Sequence, residues 1–328
     1  MKEINKDADS QRTYQDVLRA QLVENAEALA ADDVGTLNLK MASTAISELN
    51  GAFRIFKPYI DRQKVTIFGS ARVKPGGALY SSAHSLASEF AKDGWMVVTG
   101  AGPGIMRAGS EGAGSDNSLG VTIQLPFEAS EGAALIDAER VVAMKYFFTR
   151  KLMLCKESQA FVSLPGGFGT QDETFELLTL VQTGKSVPVP IVLLDAPGGT
   201  YWSDWVQWVA RHLVDDGFVD DADCALFFRT DDVRTAKEHI EQFYRVYDSC
   251  RWAGSRMVMR LKKEPTQAQL DDLNTEFGAI CDGEIVKCDP SRGEVAEQEK
   301  LELHRIAIRL DRKYNGRLRE LIDTVNTW

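Results

Sequence analysis

Glu173 and the adjacent pair Arg150 and Lys151 are the side chains of this sequence best suited to chemistry on an anionic ligand. An ionised carboxylate stabilises a developing cation or orients a water molecule, and an arginine fork grips a phosphate or carboxylate in two contacts. Three glycine-bearing segments accompany them: Gly69-Ser70-Ala71-Arg72, Gly100-Ala101-Gly102-Pro103-Gly104 and Pro165-Gly166-Gly167-Phe168-Gly169-Thr170. Glycine lets a backbone approach a ligand closely, and a helix that follows such a turn offers unpaired amides and a partial positive charge. Together the segments describe a phosphate cradle. Plainer readings stand beside the chemical ones. Strand-to-helix turns use glycine for geometry alone, and a basic pair on a helix is commonly a solvated face. Thr170 followed by Glu173 also spells a capping box, in which Thr takes one orphan amide and Glu reaches back for another. Substituting Gln for Glu173 separates cap from chemistry, because the box tolerates an amide.

Two familiar phosphate motifs fail on this sequence. The dinucleotide fingerprint G-x-G-x-x-G needs glycine where Ile105 stands. The P-loop needs glycine where Thr179 stands, ahead of Gly184-Lys185-Ser186, and its segment follows a helix instead of a strand. That GKS reads as a helix C-terminus, with Gly184 as the cap and Pro188 beyond it.

The elements that must position these residues alternate in period. Residues 1–60 read as two polar helices, the second over 37–56, with Leu39, Ala42, Ile46, Leu49, Phe53 and Phe56 along one face. Such a stripe lies on something larger. From residue 65, apolar runs at 65–70, 95–100, 120–125, 160–167, 190–195 and 224–228 alternate with helix-period segments at 81–92, after Gly104, at 146–157, 171–182, from Trp202, and at 233–247. Strands apolar on both faces, each followed by a helix, predict an α/β fold with a doubly wound parallel sheet that binds ligands at its carboxyl ends. Beyond residue 255 the order becomes strand 257–261, helix 267–277, strands 283–288 and 304–310, and helix 316–325. The alternation of Ile306, Ile308 and Leu310 with Arg305, Ala307 and Arg309 predicts a sheet with one buried face, and 292–300 reads as a solvated acidic loop. The expected division is a helical extension at 1–60, a nucleotide-binding domain at 61–252 and a small α+β appendix at 253–328.

Composition sets limits on partners. The 328 residues carry 48 Asp plus Glu against 38 Lys plus Arg, a net charge of −10, with no long basic run to neutralise a phosphate backbone. Nucleic acid is therefore not an expected partner. No segment reaches the roughly 18 apolar residues of a membrane span, and the acidic, polar start is unlike a secretory signal, so no membrane partner and a cytoplasmic protein are expected. Cys155, Cys224, Cys250, Cys281 and Cys288 are scattered without C-x-x-C spacing, which predicts free thiols. His84, His212, His239 and His304 show no metal-ligand spacing, and no metal site is expected. The recurrence of Trp202, Trp205 and Trp208 on one helix reads as a packing or dimer face.

The run Pro165-Gly166-Gly167-Phe168-Gly169-Thr170-Gln171-Asp172-Glu173 resembles the PGGxGTxxE motif of the LONELY GUY (LOG) family, often labelled "lysine decarboxylase". Gly69-Ser70-Ala71-Arg72, Gly102-Pro103-Gly104-Ile105-Met106 and Arg150-Lys151 match in order and spacing, so the likeness covers 65–194 in a long-chain form. The resemblance implies a Rossmann-like homodimer that hydrolyses the N-glycosidic bond of nucleoside 5′-monophosphates, AMP or a cytokinin riboside monophosphate, to free base and ribose 5-phosphate. It implies Arg150 and Glu173 as the catalytic pair and Gly166, Gly167, Gly169 and Thr170 at the phosphate. Gly69, Ser70, Arg72, Gly102, Gly104 and Lys151 would contact substrate, with Glu128 and Thr179 as further binding positions. No metal or organic cofactor is implied. Phe147 stands where the family commonly has Met, and Arg107 where long-chain relatives often have Glu. The alternative is a nucleotide-sensing protein with the same cradle and no turnover.

Overall fold

The structure, a computed structural model, describes residues 14–124, 135–310 and 314–328. A strand apolar on both faces needs two covers, and β1 (Lys64–Phe68) has them. Val65 and Ile67 enter one core with Leu86, Phe90 and Ile105, while Phe68 enters the opposite core with Phe161, Met153 and Leu177. With β2 (Met96–Thr99), β3 (Ser118–Ile123), β4 (Val141–Met144), β5 (Ala160–Ser163), β6 (Ile191–Leu194) and β7 (Phe228–Thr230), it forms a seven-stranded parallel sheet in the order β4-β3-β2-β1-β5-β6-β7.

The first core holds α3 (Ala78–Lys92), α4 (Ile105–Ala113) and α8 (Val233–Phe243). The second holds α2 (Thr36–Phe56), α5 (Phe147–Lys156) and α6 (Phe168–Gln182). The sheet is doubly wound, as the alternation predicts. From β1 the chain winds outward to β4 and then returns to β5 on the other side of β1. The carboxyl ends of β1 and β5 therefore border the crevice where winding reverses, the usual ligand position in this architecture.

Of the N-terminal helices, α1 (Tyr14–Ala31) buries no residue, whereas α2 buries Ala52 and Phe56 against the sheet. The Gly184-Lys185-Ser186 segment closes α6, with the Lys185 and Ser186 amides both donating to Leu180 O. Among the described residues no helix is long and apolar enough to cross a membrane.

A second, antiparallel sheet has the order β10-β11-β9-β8, from β8 (Tyr247–Ala253), β9 (Arg256–Leu261), β10 (Val286–Lys287) and β11 (His304–Ile308). One face packs on α9 (Gln267–Phe277) and α11 (Asn315–Val325) through Leu273, Phe277, Leu318 and Ile322.

Several local expectations are corrected. Residues 224–228 are not a strand: Asp220 and Asp223 form a capping box on a 3-10 turn, Asp221–Leu226, and pairing with β6 begins only at Phe228. The helix predicted to residue 247 stops at Phe243, because Asn326 Oδ1 takes the Val246 and Tyr247 amides and leaves β8 free to pair with β9. The edge strand β4 was not anticipated.

The acidic segment after residue 291 is not wholly a solvated loop. It contains α10 (Arg292–Glu297), whose Glu294 is fully buried and accepts from Arg260 Nε at 2.9 Å and Arg305 Nε at 3.2 Å. Those arginines are register partners on β9 and β11. Arg305 and Ala307 are thus buried along with Ile306 and Ile308, and the sheet has two covered faces instead of one. Burial alone would raise the Glu294 pKa, but the Ser291 amide and the two guanidiniums outweigh it and hold the carboxyl well below the usual carboxylate range.

Candidate active site

The three glycine turns meet at Ser70. Its amide donates to Pro165 O at 3.2 Å, and its carbonyl accepts from Ile105 N at 3.1 Å, so the turns after β1, β2 and β5 are stitched into one wall. Gly104 permits this closeness: its φ is +67°, and a Cβ there would strike Ser70 O. Behind the wall, α6 starts at Phe168 with Gly167 as N-cap and no side-chain cap. Its first-turn amides therefore have no partner within the helix, and the residues that carry them line a cavity of about 660 Å³.

The expected Thr170–Glu173 capping box does not form. Helix α6 begins two residues before Thr170, so both residues lie inside it, and Thr170 O accepts from Thr174 Oγ1 instead. Glu173 is thereby released from capping. It is 6% exposed, lines the cavity, and its Oε2 has no hydrogen-bond partner. Burial is the main reason that its pKa is pushed up to about 7; Lys151 and Arg150 oppose the shift, and Glu176 and Asp172 add to it.

Arg150 comes from α5, one turn past its start. Its Nε donates to Val121 O at 3.0 Å, and the guanidinium lies over Gly100, where a Cβ would collide with it. Burial lowers its pKa, against the attraction of Glu173. Helix α5 is in turn held by α2: Glu48 accepts from Lys145 N and from Thr149 Oγ1, each at 2.6 Å. The N-terminal extension thus fixes the end of the helix that carries Arg150.

Lys151 stands behind the carboxylates. Its Nζ is 2.6 Å from Glu176, 2.9 Å from Asp172 and 3.9 Å from Glu173. Burial works against its charge, but the bonds to Glu176 and Asp172 and the charge of Glu173 raise its pKa. Cys155, Glu173 and Glu176 bring possible ligand atoms within 4.8 Å of one another, but the cation beside these carboxylates is Lys151.

The family model described as "Possible lysine decarboxylase" matches residues 103–240. The cytokinin riboside 5′-monophosphate phosphoribohydrolase LOG5 of Arabidopsis thaliana is 27% identical over 171 residues, which are 48% of this chain and 73% of that protein. LOG1 of the same plant, which carries the same description, is 34% identical over 79 residues, 24% of this chain and 35% of its own length. Over these residues the chain is similar to the LOG family. Among solved structures, the molybdenum cofactor binding protein from Rippkaea orientalis is 17% identical and covers 55% of this chain and 96% of its own, with a TM-score of 0.39.

The cavity gathers Gly69, Ser70, Arg72, Arg150, Gly166, Gly167, Gly169, Thr170 and Glu173. Gly104 supports the wall from behind, and Gly102, in the same turn, is not among the lining residues. Lys151 does not line the cavity either. Thr179 lies farther along α6 and lines a separate small cavity with Trp205, Cys224 and Phe227. Glu128 lies outside the described residues.

Sequence reasoning passed over Met106, Phe168, Gln171 and Tyr201 as lining residues. For Tyr201 a signal existed, because Pro197-Gly198-Gly199 after β6 is another glycine turn at a strand end. Phe147 and Phe168 line the cavity as rings 55% and 96% exposed.

Proposed function

We propose that this chain is a LOG-type enzyme that hydrolyses the N-glycosidic bond of nucleoside 5′-monophosphates, AMP or a cytokinin riboside monophosphate, to free base and ribose 5-phosphate. The observation that carries the reading is Glu173, a buried carboxylate with an unpartnered oxygen in the cavity that receives the uncapped start of α6. The relatives described as cytokinin riboside 5′-monophosphate phosphoribohydrolases support the same class of substrate.

The chemistry follows from the charges. The 5′-phosphate would lie on the first-turn amides of α6, which bind a dianion locally despite the chain's net charge of −10. As the C1′–N bond breaks, its electron pair leaves with the base and positive charge builds on the ribose. Ionised Glu173 stabilises that charge and takes a proton from the water whose oxygen bonds to C1′, and solvent supplies the proton that the base nitrogen gains as it departs. Arg150 holds the substrate from the opposite strand ends, and Phe147 and Phe168 offer flat apolar surface to a base. Fixing the phosphate uses binding energy remote from the reacting bond to orient it.

A decarboxylase of the Schiff-base type does not fit. Its lysine must react as a neutral amine, whereas Lys151, set among Asp172, Glu173 and Glu176, is held charged. A homodimer is part of the proposal, and exposed Ile46 and Phe53 on α2 and Phe148 and Leu152 on α5 are suited to cover one another.

The test is to incubate the purified chain with a panel of nucleoside monophosphates and separate the products by chromatography. Free base and ribose 5-phosphate in equal amounts are expected. Tight binding across the panel without product would show a sensor in place of an enzyme.

A further inference from the structure

We infer that Tyr201 is a positioning residue for the glycine cradle: its hydroxyl staples the turn before α6 to the first turns of that helix. The inference rests on the reading of the cavity as a phosphate-monoester site.

The geometry is specific. The Tyr201 hydroxyl donates to Gly166 O at 2.7 Å and accepts from Gln171 Nε2 at 2.6 Å. Gly166 precedes the N-cap Gly167, and Gln171 follows it by four residues, so one hydroxyl bridges both sides of the helix start. A carbonyl and the following N–H share one rigid plane and point in opposite directions. Holding Gly166 O therefore also sets the direction of the Gly167 amide.

The ring that carries this hydroxyl is itself anchored. Tyr201 opens α7 (Tyr201–Val209), and the next amide, Trp202 N, donates to Asp195 Oδ2 at 3.1 Å at the end of β6. Arg229, on β7, donates to Gly199 O at 2.9 Å. The Trp202 side chain is fully buried and meets the Tyr201 ring edge-on at 4.9 Å. The ends of β6 and β7 thus reach the Gly166 turn through Tyr201. Its ring contact with Trp202 would be kept by Phe, so the hydroxyl is accounted for by the turn it holds.

Tyr201→Phe in the full-length chain removes that hydroxyl alone. Ribose 5-phosphate is titrated calorimetrically into wild type and variant, KM and kcat are measured with AMP, and melting temperatures are recorded. The expected result is a loss of about 5- to 10-fold in ribose 5-phosphate affinity, the scale of one net hydrogen bond, with KM rising by a similar factor and kcat changing much less. The melting temperature should stay within about 2 °C. Gln171→Met should weaken binding as well, and the double variant should lose no more than Tyr201→Phe alone, as expected of one coupled unit.

Unchanged affinity in Tyr201→Phe, with or without a lower melting temperature, overturns the inference while leaving the phosphate site intact. Failure of the wild type to bind ribose 5-phosphate overturns the underlying reading and the staple with it. Should Tyr201→Phe fail to fold, Gln171→Met decides: a loss of affinity supports the staple, and none overturns it.

Discussion

Lys151 Nζ stands 3.9 Å from Glu173 Oε2 while bonding Glu176 at 2.6 Å and Asp172 at 2.9 Å. The ammonium is close enough to offset the buried charge of Glu173 but spends its hydrogen bonds on the neighbouring carboxylates. Glu173 Oε2 is therefore left without a partner and available to a substrate. A salt bridge that satisfied Glu173 fully would have lowered its pKa and occupied its lone pairs.

Glu173→Gln separates stability from chemistry. No Thr170 capping box is at stake, and the amide removes a charge that burial disfavours. Turnover should fall by roughly 10² to 10³ or more, the scale seen when one aimed electrostatic group is lost, while the melting temperature holds or rises. Calorimetry and the product assay on one preparation check both halves, and a marked drop in melting temperature would restore a structural role.

The pH dependence has a definite sign. With a pKa of about 7, Glu173 ionises as pH rises through neutrality, so kcat should climb across that range and level off above it. Lys151→Met removes a cation that favours the ionised form, so the same limb should move to higher pH. A limb that does not respond to Lys151→Met would exclude Glu173 as its origin. The protonated form is the one the fold prefers, so the Glu173 contribution to stability diminishes as pH rises from the usual carboxylate range through about 7.

Glu48 should matter although it lies in the N-terminal extension. Glu48→Ala leaves the Lys145 amide without its acceptor and the Thr149 hydroxyl with Tyr146 O alone at the start of α5, a change on the scale of a lost N-cap, about 1 kcal/mol. Activity should fall because Arg150 rides on that helix, and Glu48→Gln should recover part of it by keeping one acceptor oxygen. Equal kcat/KM for wild type and Glu48→Ala would show that α5 is held by its packing alone.

In the C-terminal sheet, Glu294→Ala should be among the most destabilising substitutions. It leaves Arg260 and Arg305 buried with one carboxylate fewer, and breaking such a group costs about 3 to 5 kcal/mol. Since the Glu294 pKa is depressed, its contribution is complete above the ordinary carboxylate pKa and is lost as pH falls toward about 2. Thermal melts between neutral and acid pH should show wild type approaching the variant at the acid end.

The doubly wound sheet was legible in the chain because its strands are buried on both faces, so each appears as an unbroken apolar run set between helical segments. The glycine turns were legible for a related reason: strand-to-helix turns beside a ligand restrict side chains locally. Order and spacing around Arg150 and the Gly166–Glu173 run carried the resemblance to the LOG family. What the amino-acid order could not determine is whatever depends on a partner distant in sequence. Thr170 and Glu173 have capping-box spacing, and only the start of α6 at Phe168 decides against the box. Arg305 alternates with apolar residues like a solvated side chain, and only the packing of Glu294 buries it. Tyr201 reaches Gly166 across 35 residues, through β6 and its turn. Local periodicity records which face of an element is apolar, whereas the partner of a polar atom is chosen by tertiary packing, and in this protein those partners release Glu173 into the cavity.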